Sequence, residues 1–165
     1  MAAKTMNLDL IQEMVNNYKS KQYLSIVTNT INPMNFDAQS LWFTLDALKE
    51  FIATIEDEAA KHPEYELKDF GIRFYYSAYP INDLWDQPGY ENLADLLNNP
   101  TSQQYEKLHT LIGIPTAAIN GVNSDFDPYD TKTYTGNKPT GAGLAIMAEN
   151  HGSLNPPGDP SGLWF

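Results

Sequence analysis

SLWFTLDALKEFIATIEDEA, residues 40–59, holds two hydrophobic periods back to back. Ser40 to Phe43 is short, apolar and aromatic, which reads as a strand. Thr44 then offers a side-chain oxygen to cap a helix, with Asp46 in its first turn. Leu45, Leu48, Phe51, Ile52, Ile55 and Ala59 follow at spacings of three and four and form one apolar face. Lys49, Glu50, Glu56, Asp57 and Glu58 form the wet one. His62-Pro63 closes this helix, over 45–60, because the residue before a proline avoids the helical region.

Downstream, Gly71 to Tyr79 alternates with a period of two. Ile72, Phe74, Tyr76 and Ala78 point one way, and Arg73, Tyr75, Ser77 and Tyr79 the other. Strand, helix and strand within about forty residues is the spacing of a right-handed parallel βαβ crossover. Upstream, Asn7 or Thr5 can cap a first helix on Leu8, Ile11, Val15 and Tyr18, with Met14 beside them. Tyr23 to Val27 reads as strand or as helix extension, and Asn29 to Asn35 as loop. Beyond Pro80, Tyr90 to Leu97 and Gln103 to Leu108 carry short helical signals. Leu111 to Ile119 reads as a third strand, which Pro115 places at an edge or divides. Asn120 to Pro139 is loop chemistry, and Ala142 to Glu149 a short helix ending at Asn150 to Gly152.

The expected architecture is α+β or α/β: one compact domain over residues 1–165 with a small mixed sheet. The helix at 45–60 is central, the N-terminal helix flanks it, and a loop-rich Pro/Gly segment over 150–165 closes the chain. The expected core is Leu41, Phe43, Leu48, Phe51, Ile52, Ile55, Ile72, Phe74, Ile112 and Ile114.

Composition narrows the chemistry. Twenty-one acids against ten bases leave a net charge of −11, which repels a phosphate backbone and disfavours nucleic-acid binding. The absence of cysteine removes disulfides, thiolate metal sites and a cysteine nucleophile, and fits a cytoplasmic setting. No run of 18 apolar residues offers a membrane span, and Met1 to Asn7 carries no secretory h-region.

Three constellations are candidates for a site. Asn123, Asp125, Asp127 and Asp130 place alternating oxygens in one loop, as Ca²⁺ or another divalent metal requires. Pro128 and Tyr134 break the EF-hand pattern, and an Asx-turn explains the same residues. His109, Glu149 and His151 are the set able to meet a metal or act as acid and base, without the His-Glu-x-x-His spacing; surface histidines are the plainer reading. Arg73, the only arginine, stands among Tyr75, Ser77 and Tyr79, where it can hold an anion, stack, or pair with one of many acids. Gly141-Ala142-Gly143 lacks the rest of either phosphate-loop pattern. Trp164 and Phe165 at the chain end are costly to expose and should be buried on this domain or on another chain.

Residues Asp37-Ala38-Gln39-Ser40-Leu41-Trp42-Phe43-Thr44-Leu45, Gly71-Ile72-Arg73-Phe74-Tyr75, Ile114-Pro115-Thr116 and Asn150-His151-Gly152 with Pro156-Pro157 resemble a group of small bacterial proteins with no assigned activity. The likeness runs over roughly residues 8–157. That group commonly has Arg where Gln39 stands and Cys where Asn155 stands; both departures weaken an anion or metal role there. The resemblance implies a compact bacterial domain, cytoplasmic, and carries no catalytic residue.

Two functions fit these signals. One is a non-catalytic binding or assembly module without a cofactor, using aromatic and proline-rich surfaces at 75–90 and 150–165 for a protein partner or self-association. Arg73, Tyr75, Tyr79, Trp164 and Phe165 would carry the binding. The other is a metal-dependent hydrolase using His109, His151, Glu149 and the loop carboxylates.

Overall fold

A computed structural model describes residues 5–31, 33–63, 65–127, 148–150 and 152–155. The N-terminal helix runs as α1 (Leu8–Tyr18), a π-turn (Lys19–Tyr23) and α2 (Leu24–Val27). Asn7 caps it, its side chain accepting from the Asp9 N–H at 2.8 Å. Tyr23 to Val27 is therefore helix extension. The π-turn adds one residue to a turn and rotates the following stripe by about 100°. That rotation brings Tyr23, Ile26 and Val27 onto the face of Ile11, Val15 and Tyr18, and all six are half-buried. No residue of α1 is fully buried, and Leu8, Leu10 and Met14 remain exposed.

β1 (Ser40–Trp42) leads into α3 (Leu45–Ala59), capped by the Thr44 hydroxyl accepting from the Ala47 N–H. α3 buries Phe51, Ile55 and Ala59, one row at steps of four. Leu45 and Ile52 lie about 60° or more off that row on an ideal wheel and are exposed, so the expected apolar face is wider than its contact.

β2 (Phe70–Ala78) pairs with β3 (His109–Ile119), and β3 pairs with β4 (Val122–Asp125); both pairings are antiparallel. β1 pairs instead with β5 (Ser153–Asn155), also antiparallel. The chain is thus α+β, with two small antiparallel sheets among the described residues, and the parallel βαβ crossover is corrected. β2 has nine residues to pair; β1 offers three and β3 eleven, so the longer partner wins. β3 is the central strand, so Pro115 does not put it at an edge. The Gly113 N–H and C=O point away from β2, to Glu149, and Pro115 points the same way. There its missing donor costs β2 nothing, and its carbonyl accepts from the Phe126 N–H at 2.9 Å. Asn120-Gly121, both at positive φ, turns β3 into β4 as a type I′ hairpin. Glu149 bridges Gly113 in extended backbone and is not part of a helix; residues 142–147 lie outside the described residues.

The main core is Ala38, Tyr79, Trp85, Tyr105, Leu108 and Leu154. The Tyr79 ring lies 5.9 Å from Trp85 and 5.6 Å from Tyr105, within the aromatic pairing range. A second cluster joins Ala117, Ile119 and Phe126 to Tyr65 and Phe70. Of the expected core, Phe51, Ile55 and Ile114 are buried; Leu41, Phe43, Leu48, Ile72 and Ile112 are half-buried; Ile52 and Phe74 are exposed. Among the described residues Phe74 lies on an outer strand of its sheet. Gly152 lets β5 approach β1: a Cβ there would stand 2.8 Å from Leu41 Cγ and 3.1 Å from Phe43 Cε1.

A candidate ligand site at the Asp37–His109 pair

Asp37 is fully buried, immediately before Ala38 of the main core. His109 opens β3, delivered by a turn in which Lys107 takes a positive φ. The two are 72 positions apart in sequence and meet directly. Asp37 Oδ1 accepts the Ala38 N–H and the His109 N–H, each at 2.8 Å. Asp37 Oδ2 lies 2.6 Å from His109 Nδ1. A buried carboxylate is tolerable only when paired and hydrogen-bonded, and these three donors do that. A carboxylate only accepts, so Nδ1 carries the proton it presents to Asp37. The His109 side chain is 46% exposed, and no described residue bonds its Nε2.

His109 lies on a groove of about 720 Å³. The N-terminal helix supplies one wall with Met14, Asn17, Tyr18, Gln22 and Ile26. Ala38 to Leu41, Tyr76, Thr110 and Leu111 supply the rest. The Tyr18 hydroxyl donates to the Ala38 carbonyl at 3.4 Å and ties the walls together. Burial, and then the Asp37 charge, push the Tyr18 phenol above its ordinary value. Among the described residues the lining contains no Lys, Arg, Asp or Glu. Its apolar surface with a few hydroxyls, amides and one imidazole suits an uncharged ligand.

No protein-family model, curated protein or solved structure matches the chain.

Arg73 and Tyr75 converge on one sheet face with Asp125. Arg73 pairs with Asp125 Oδ1, the Tyr75 hydroxyl donates to Oδ2, and the guanidinium also donates to the Asn123 carbonyl at 2.7 Å. The register places Ile114 opposite Arg73 and Thr116 opposite Asp125, so this ion pair spans β3 and clasps β4 to β2. The Tyr75 bond, and then the Asp125 charge, hold the guanidinium above its ordinary value. Tyr79 does not join them: it lies beyond the strand end, buried, its hydroxyl donating to the Asn150 carbonyl at 3.3 Å. Burial pushes its phenol upward, against an opposing hydrogen bond with Thr110.

Asn123 and Asp125 stand on strand β4 instead of in a loop, and Asp127 is buried with partners of its own. Among the described residues no group of three or more His, Asp or Glu side chains is placed to hold a metal. Glu149 pairs with Gly113, four residues along β3 from His109, a strand distance of about 13 Å. Asp130, His151, Trp164 and Phe165 lie outside the described residues. Sequence reading named His109 but gave Asp37 no role; the one signal was Asp37's place at the head of the motif of residues 37–45.

Proposed function

We propose that this protein is a non-catalytic binding module whose groove between the N-terminal helix and the His109 end of β3 takes a small, uncharged, largely apolar ligand. The observation that carries this reading is the lining itself: about 720 Å³, apolar in the main, with one half-exposed imidazole and, among the described residues, no ionic side chain. A cytoplasmic setting belongs to the same proposal, supported by the lack of cysteine. Among the described residues no helix is long and apolar enough to cross a membrane.

The test is titration with N-phenyl-1-naphthylamine, a neutral apolar fluorophore. Saturable one-to-one binding is expected. Gln39→Trp, which fills the groove from a half-buried position, should abolish it without lowering the unfolding temperature. Absent binding, or equal binding by the variant, would overturn the reading. Native mass spectrometry of the same sample tests self-association, the assembly form of this proposal.

A second reading is acid–base chemistry at His109. It is supported by the grip of Asp37 on Nδ1, which leaves Nε2 as the working nitrogen.

A further inference from the structure

We propose that the Asp37–His109 pair sets the groove's ligand selectivity: His109 Nε2 is a hydrogen-bond acceptor, and the groove selects an uncharged ligand whose polar head is an O–H or N–H donor. This deepens the binding proposal and rests on it.

The inference follows from the atoms Asp37 uses. Its Oδ1 is committed to two backbone N–H groups, so the carboxylate cannot rotate without leaving both unpaired. Oδ2 is thereby held against Nδ1 and keeps the imidazole proton on that nitrogen. A neutral imidazole with its proton on Nδ1 has a lone pair on Nε2. The ring borders the groove, where among the described residues no Lys or Arg competes for an acidic ligand and no Asp or Glu for a basic one. A site that accepts one hydrogen bond in apolar surroundings discriminates against an isostere lacking the proton.

The same bonding predicts an inversion. In Asp37→Asn the two backbone donors hold the amide oxygen at the Oδ1 position and place the amide NH₂ against Nδ1. Nδ1 must then accept, the proton moves to Nε2, and the groove presents a donor instead of an acceptor.

The test pairs a butylphenol with its methyl ether, nearly the same shape with and without the O–H. Both compete against the bound naphthylamine. The phenol should bind the wild-type protein about fivefold more tightly, the worth of one net hydrogen bond. His109→Ala should bind the two equally, and Asp37→Asn should lose the preference for the phenol, since both oxygens accept from an Nε2–H. Imidazole nitrogen NMR shifts of the wild-type protein, which need no variant to fold, should put the proton on Nδ1. Equal affinities in the wild-type protein, a preference surviving in His109→Ala, or a proton on Nε2 would overturn the inference and leave the groove standing. Failure of both compounds to bind would remove the groove reading and this one with it.

Discussion

Two acid–base pairs in this molecule use similar chemistry to opposite ends. On the sheet face, Arg73 and Asp125 are each more than a third exposed, and Tyr75 and the Asn123 carbonyl complete a closed set. At the groove, Asp37 has no exposed surface, yet no described residue bonds the Nε2 of its partner His109. The first pair spends its hydrogen bonds on clasping β4 and offers a ligand little. The second has its acid buried and its base facing outward, so burial on one side orients a free group on the other. Being a cation beside tyrosines, the feature that made Arg73 a binding candidate, is what closes its site. A ligand position needs an unspent valence as well as a polar residue.

Substitutions can break this contrast. Asp37→Ala should have the largest effect: it strands two backbone N–H groups and one imidazole nitrogen. The expected cost is about 2–4 kcal/mol, read as a lower midpoint in urea unfolding. A neutral result would mean that water satisfies those donors and that the pair organises nothing.

Alkaline titration should give an intermediate effect and sharpen the comparison from the groove side. Tyr18 and Tyr79 have phenols raised by burial, so their folded values exceed the unfolded value near 10.0. Stability from keeping these phenols neutral is complete below that value and is lost as pH climbs through the folded ones. Ultraviolet titration should show late-ionising tyrosines in the native protein that merge with the rest after unfolding. Simultaneous titration in both states would contradict the packing of Tyr18 and Tyr79.

The smallest effect belongs to the exposed pair. The double-mutant cycle of Arg73→Ala and Asp125→Ala should give a coupling well below the Asp37→Ala loss, shrinking further in 1 M salt. A coupling as large as that loss, and insensitive to salt, would show that exposure does not separate the two sites.

Local signals were legible. Asn7 and Thr44 cap the helices at the positions their side chains suggest, and Phe51, Ile55 and Ala59 are the buried row of α3. The alternation over 71–79 is strand β2. Asn120-Gly121, read as loop, carried a hairpin signal that also announces β4. β5, three residues between Gly152 and the prolines, carried none strong enough to read.

The candidate site was half legible. His109 stood out as one of three histidines, whereas Asp37 was one acid among twenty-one acidic residues. Nothing within a few residues of either records a partner 72 positions away.

By itself, then, the sequence determined the helices with their caps, strand β2, and an acidic, cysteine-free chain. These follow from side-chain spacing and from what each residue does to its own turn of backbone. Tertiary structure alone decided that β1 joins β5, that β3 lies between β2 and β4, and that Asp37 meets His109. Pairing is a competition among all available strands, and a buried carboxylate takes whichever donors the finished fold brings to it.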